Sequence, residues 1–126
     1  MMHRVLVVED NQDLRESLVE VLETYGYEAV GARHGQEALD KLSTLDVPPC
    51  VIVLDLMMPV MDGQSFRQEQ LRRPELAAIP VVVVSAYDKF PSDLQALGAA
   101  AYLKKPVRMN DLMRVVHHYC PAPAAS

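Results

Sequence analysis

Cysteine is scarce in this sequence: Cys50 lies in an apolar run and Cys120 stands near the C-terminus. Two distant thiols in a chain with no export signal read as reduced packing residues, with a disulfide or metal pair as the lesser alternative. Long apolar runs are missing as well, and none approaches the roughly 20 residues of a membrane-spanning helix. Met1-Met2-His3-Arg4 leads into Val5-Leu6-Val7-Val8 and then two acids. That apolar stretch is too short for a signal-peptide core and no small-residue cleavage site follows, so the expectation is a cytoplasmic chain. A basic excess is also lacking. The 12 Lys and Arg against 17 Asp and Glu give a net charge of −5, which argues against direct nucleic-acid binding and against an anionic membrane surface. No internal repeat or long low-complexity stretch occurs.

What is present suits one domain. The 126 residues are 50% hydrophobic and 23% charged, enough to bury a core and too few for two domains. Runs rich in β-branched residues at Val5–Val8, Cys50–Leu54 and Ile79–Val84 fit strands covered on both faces. Glu28–Ala32 and Ala100–Leu103 are weaker strand candidates. Between them the apolar spacing becomes helical. Leu14, Leu18, Leu22 and Tyr25 form one stripe, with Asn11 as cap and Gly26 as a left-handed stop. Further helices are expected at Gln36–Leu45 (Ala38, Leu39 and Leu42 inward), Gln64–Arg73 closed by Pro74, Ser92–Leu97 ending at Gly98, and Met109–Tyr119. The last carries Leu112, Val115, Val116 and Tyr119. Strict alternation of strand and helix predicts an α/β fold, a doubly wound parallel sheet with right-handed crossovers. Residues 1–120 make the domain, and the Pro/Ala-rich residues 121–126 read as a tail or the start of a linker.

In such folds the chemistry sits at the carboxyl ends of the strands. The first strand ends in Glu9-Asp10 and the third in Asp55. Taken alone, Glu9 and Asp10 suit the positive end of the following helix. With Asp55 on the same sheet edge, however, three carboxylates repel one another unless a cation lies between them, and an oxygen-only set with room for water suits Mg²⁺. The fourth strand leads to Ser85-Ala86 and the fifth to Lys104-Lys105-Pro106, which adds a hydroxyl and an ammonium. A carboxylate nucleophile, acids for a metal, a hydroxyl and a lysine are the parts of a phosphoryl-transfer site.

From about Arg4 to Tyr119 the sequence resembles the receiver domain of two-component response regulators, chemotaxis regulators among them. The resemblance is carried in order by Glu9-Asp10, by Asp55-Leu56-Met57-Met58-Pro59-Val60-Met61-Asp62-Gly63, by Ser85-Ala86, and by Tyr102-Leu103-Lys104-Lys105-Pro106. It implies a flavodoxin-like, five-stranded sheet of order 2-1-3-4-5 with five helices. Asp55 would be the phosphorylated residue, and Glu9, Asp10 and Asp55 would hold Mg²⁺ with the backbone carbonyl of Met57. Ser85 would be the switch hydroxyl and Tyr102 the switch aromatic. Lys105 would be the functional lysine before a cis proline, with Lys104 a solvated neighbour.

The implied partners are a sensor histidine kinase or phosphotransfer protein as donor and a downstream protein target or effector domain, with a homodimer allowed. Output would leave through the surface of the fourth helix, fifth strand and fifth helix. The 13 positions from Ser85 to Gly98 are fewer than the family's usual spacing, so that face is expected to be remodelled. Tyr87 is placed to cover the phosphoryl group. Aspartate-nucleophile phosphatases carry an acid two residues after the nucleophile; here Met57 stands there, which points to a switch and not an enzyme. A receiver that binds a partner without phosphorylation is the other alternative.

Overall fold

The computed structural model describes residues 3–55, 61, 63–85 and 98–120, without the side chains of Gln64 and Ser85. The elements in chain order are β1 (Arg4–Val8), α1 (Gln12–Thr24), β2 (Glu28–Ala32), α2 (Gly35–Thr44), β3 (Val51–Asp55), α3 (Gly63–Arg72), the single turn α4 (Pro74–Ala77), β4 (Val81–Ser85), β5 (Ala101–Lys104) and α5 (Met109–Tyr119). The five strands form one parallel sheet of order β2-β1-β3-β4-β5, as expected. The helix expected at Ser92–Leu97 lies outside the described residues, as do Met57, Pro59, Ala86, Tyr87 and the 121–126 tail.

Strand alternation divides the core in two. On one face Leu6, Val8, Ile52, Leu54, Val81 and Val83 pack with Ala38, Leu39, Leu42 and Phe66. On the other, Val5, Val7, Val51, Val53, Val82 and Val84 meet Leu18 and Leu22 of α1 and Leu112 and Val116 of α5. Each fully buried Val or Leu contributes about 1.5–3 kcal/mol relative to exposure. The central strands β1, β3 and β4 therefore carry most of the driving force.

Local chemistry sets the element ends. The Asn11 side chain accepts from the Leu14 amide at 2.9 Å and starts α1, while Gly26 at φ 93° turns the chain out of it. That reversal corrects one expectation: Tyr25 does not continue the inward stripe but is half exposed, edge-on to His117. The core aromatic is Tyr27, just past the turn and fully buried. The α2 N-cap is His34, whose Nδ1 accepts from the Glu37 amide. Gly35 opens that helix where a Cβ would meet Met61 Cγ at 2.8 Å and its carbonyl oxygen at 3.0 Å. Only glycine allows the chain after β3 to dock there, and the Gly35 amide donates to the Met61 carbonyl at 3.1 Å.

The two cysteines depart from expectation more sharply. They are not separate reduced packing residues: the structure joins Cys50 to Cys120 with Cα atoms 5.6 Å apart. Parallel strands place the start of β3 on the same edge as the C-terminal end of α5, which runs back against them, so 70 positions of chain separation vanish in space.

Pro74 ends α3, as expected, but also opens α4. The carbonyls beyond that turn are served by Gln70, a fully buried polar residue. Its Nε2 donates to Leu76 at 2.9 Å and to Ile79 at 3.1 Å. Its Oε1 accepts from Arg67 Nη1 at 2.9 Å, and Arg67 Nη2 donates to the Gly98 carbonyl. Burial pushes the Arg67 guanidinium pKa below its ordinary value. Gln70→Leu keeps the volume and deletes the donors, leaving buried carbonyls unserved. We expect a loss of about 2–4 kcal/mol in urea unfolding; a loss under about 0.5 kcal/mol would show that water replaces the amide.

Candidate functional site

The carboxyl ends of β1, β3, β4 and β5 bring the expected acids and lysine together. Val8 pairs with Leu54, so Glu9 and Asp55 stand side by side at the edge. Asp55 pairs with Val84, and Ser85 with Lys104. Glu9, Asp10 and Asp55 each offer an oxygen, and the three lie within 4.8 Å of one another. Glu9 and Asp55 are each only 3% exposed, while Asp10 faces solvent.

Lys105 reaches into this group from beyond β5. Its Nζ lies 2.7 Å from Glu9 Oε1 and 3.5 Å from Asp55 Oδ1. Burial works against the Lys105 ammonium, but hydrogen bonding to Glu9 and the charges of Asp55 and Glu9 outweigh it and raise its pKa above the ordinary lysine value. Partial burial likewise pushes the Asp10 carboxyl up, yet hydrogen bonding with Glu9 and Asp55 and the Lys105 charge hold it below the usual carboxylate value. The Lys105–Pro106 bond is cis, as expected.

Three carboxylates against one ammonium leave two negative charges in excess, the charge of one divalent cation. The donors are all oxygen, two are fixed by burial, and the third opens to water. That set fits a small hard cation which keeps part of its hydration shell.

The remaining expected residues fall into place to different degrees. Ser85 is at the same edge by register, and its hydroxyl lies outside the described residues. Tyr102 pairs with Val83 and packs, half-buried, against the core face that holds Phe66. Lys104 is exposed, as anticipated.

Sequence reading missed Arg15. Its Nη1 donates to the Glu9 carbonyl at 2.9 Å, and its stem covers Gly31, whose Cβ position would be 3.1 Å from Arg15 Cδ. The Glu9 amide donates across to Ala32 at 3.0 Å. Hydrogen bonds to both its amide and its carbonyl thus hold the first acid in place. A glycine in β2 was the one signal for a side chain crossing that strand.

Comparison with known proteins agrees with this arrangement. The chain matches the response regulator receiver domain over residues 5–117. It is 39% identical over 113 residues to the response regulator MprA of Mycolicibacterium vanbaalenii, covering 87% of this chain and 47% of that protein. It is 36% identical over 111 residues to the sensor histidine kinase TmoS of Ectopseudomonas mendocina, covering 86% of this chain and 11% of that one. The chain therefore spans half or less of these curated relatives. Among solved structures it is similar to the chemotaxis response regulator CheY4 of Vibrio cholerae, with TM-score 0.84, 29% identity, and 94% of this chain and 99% of that one covered. The response regulator TrrA of Thermotoga maritima in complex with Mg(2+)-BeF gives TM-score 0.81 and 30% identity over 94% of this chain and 99% of that one. With its 2-1-3-4-5 sheet and acid-lined strand ends, the chain belongs to the response regulator receiver domain family of two-component systems.

Proposed function

We propose that this receiver accepts a phosphoryl group on Asp55 and works as a signalling switch, not as an enzyme turning over a small-molecule substrate. The observation that carries the reading is the Lys105 ammonium lying against both Glu9 and Asp55 at the strand ends. A buried nucleophile beside a fixed cation is arranged for a group that brings negative charge with it.

The donor is a phosphohistidine on a sensor histidine kinase or phosphotransfer protein. An Asp55 carboxylate oxygen attacks phosphorus, the P–O bond forms as the P–N bond breaks, and the departing imidazole keeps the electron pair and takes a proton. Lys105 neutralises charge on the transferring oxygens, and Glu9 holds Lys105 in position through the 2.7 Å contact. Glu9, Asp10 and Asp55, with the backbone carbonyl of Met57, would hold Mg²⁺, which when bound neutralises further charge on the phosphoryl oxygens. The similarity to TrrA, solved with Mg(2+)-BeF, supports that assignment.

Phosphorylation adds acceptor oxygens at the sheet edge. The Ser85 hydroxyl bonds one of them and draws the end of β4 inward, and Tyr102 turns further toward the core. The surface that includes β5, α5 and the preceding segment then favours one downstream protein target, effector domain or second copy over another, a population shift in a two-state element. The site of action is the cytoplasm, where such donors present phosphohistidine.

Incubation with acetyl phosphate and Mg²⁺, followed by intact-mass measurement, should give a gain of one phosphoryl group that Asp55→Asn abolishes. No gain in the unaltered chain would sink the proposal and favour a receiver that works by binding alone. In the same assay Lys105→Gln should slow phosphoryl uptake by about 100-fold. Uptake at the unaltered rate would mean that Lys105 only balances charge in the resting state.

A further inference from the structure

The sheet edge opposite Asp55 holds a second cluster of reactive side chains that the phosphoryl chemistry does not use. Cys50 stands immediately before β3 and Cys120 immediately after α5, their Cα atoms 5.6 Å apart. Disulfides favour Cα separations of about 5.5–6 Å, so the backbone is already placed for the bond. Cys120 is fully buried and Cys50 only partly. Cys50 is therefore the more accessible residue of the pair. His3 belongs to the same group, its imidazole within 4.8 Å of both sulfurs.

We propose that Cys50 and Cys120 are a redox-active pair, oxidised by small-molecule disulfides of the glutathione type and reduced by the matching thiols, which locks and releases the C-terminal helix on the sheet. The Cys50 thiolate attacks a sulfur of the oxidant, whose S–S bond breaks and expels one thiolate, leaving a mixed disulfide on Cys50. The Cys120 thiolate then attacks the Cys50 sulfur and expels the second. Two electrons pass from the cysteines to the oxidant, and their two protons end on the two released thiols.

The bond acts on a helix end that is otherwise held by hydrogen bonds. The Tyr27 hydroxyl donates to the Cys120 carbonyl at 2.6 Å, and the Tyr119 hydroxyl donates to the Ala100 carbonyl at 3.1 Å. The Cys50 amide is anchored to the Arg4 carbonyl at 2.9 Å. Oxidation thus ties the last turn of α5 to the start of β3, the strand whose far end carries Asp55. A metal centre is the competing use of these side chains. Among the described residues the cluster has three ligands, one His and two Cys, and no fourth His, Cys, Asp or Glu, one short of a closed structural zinc site.

The full chain, reduced and then equilibrated in glutathione buffers of graded ratio, should convert to a form lighter by two hydrogens, with the Cys50 and Cys120 peptides linked. The oxidised form should melt on the order of 10 °C higher and show slower amide exchange in residues 109–119, both reversed by dithiothreitol. Cys50→Ser, at the less buried position, should fold and lose the shift. Two alkylatable thiols at every ratio would overturn the proposal, as would a Cys50→Ser variant that still gains the higher melting temperature. Stoichiometric Zn²⁺ retained by the reduced chain and lost in His3→Ala would overturn it in favour of a metal site.

Discussion

The Lys105 ammonium lies 2.7 Å from Glu9 and 3.5 Å from Asp55, two carboxylates whose side chains are almost wholly removed from water. Removing a charge from water costs several kcal/mol per ion even after relaxation, and pairing recovers that only where the geometry is good. Gathering these charges at the strand ends is thus a cost to stability that their pairing has to offset. What sustains it is the apolar mass beneath, because β1, β3 and β4 are buried on both faces and fix where their last residues emerge. Glu9 and Asp55 stand together because Val8 pairs with Leu54 and not with a neighbour one position away. A slip of one residue would turn every strand side chain to the other face.

The polar groups that support this frame are few and specific. Arg15 crosses Gly31 to reach the Glu9 carbonyl, and Gln70 serves two carbonyls around the short α4 turn that feeds β4. Gly35 lets the chain after β3 approach α2 at backbone distance. Each acts on the course of the chain into or out of a strand end. They differ in chemistry but share one task, which is to place the edge residues within hydrogen-bond reach of each other.

The two ends of the sheet carry different chemistry. The carboxyl edge gathers oxygen donors and an ammonium, suited to phosphorus and hard cations. The amino edge gathers two sulfurs and an imidazole. The same strand, β3, joins them, with Cys50 before it and Asp55 as its last residue. Only α5 is tied to the amino edge covalently, and it is also the element whose surface takes part in the proposed output.

Read without a structure, the chain already disclosed the alternation of strands and helices, the parallel sheet and the acids and lysine at its edge. Those features are local. Runs of Val and Ile mark covered strands, Leu14, Leu18 and Leu22 mark a helix face, and Glu9, Asp10, Asp55 and Lys105 sit where strands end. The exchange of Tyr25 for Tyr27 in the core was not legible, because the Gly26 reversal decides which aromatic turns inward. Arg15 and Gln70 were also invisible, since their partners are carbonyl groups and any residue supplies a carbonyl. Cys50 and Cys120 show the division most plainly. Seventy positions apart, they carry no local mark of each other, and only the packing of α5 against the parallel sheet brings them together. Periodicity and residue chemistry along the chain therefore determined the fold class and the candidate acid site. Pairings across the chain were decided only by the tertiary structure, because they depend on where separate elements end in space.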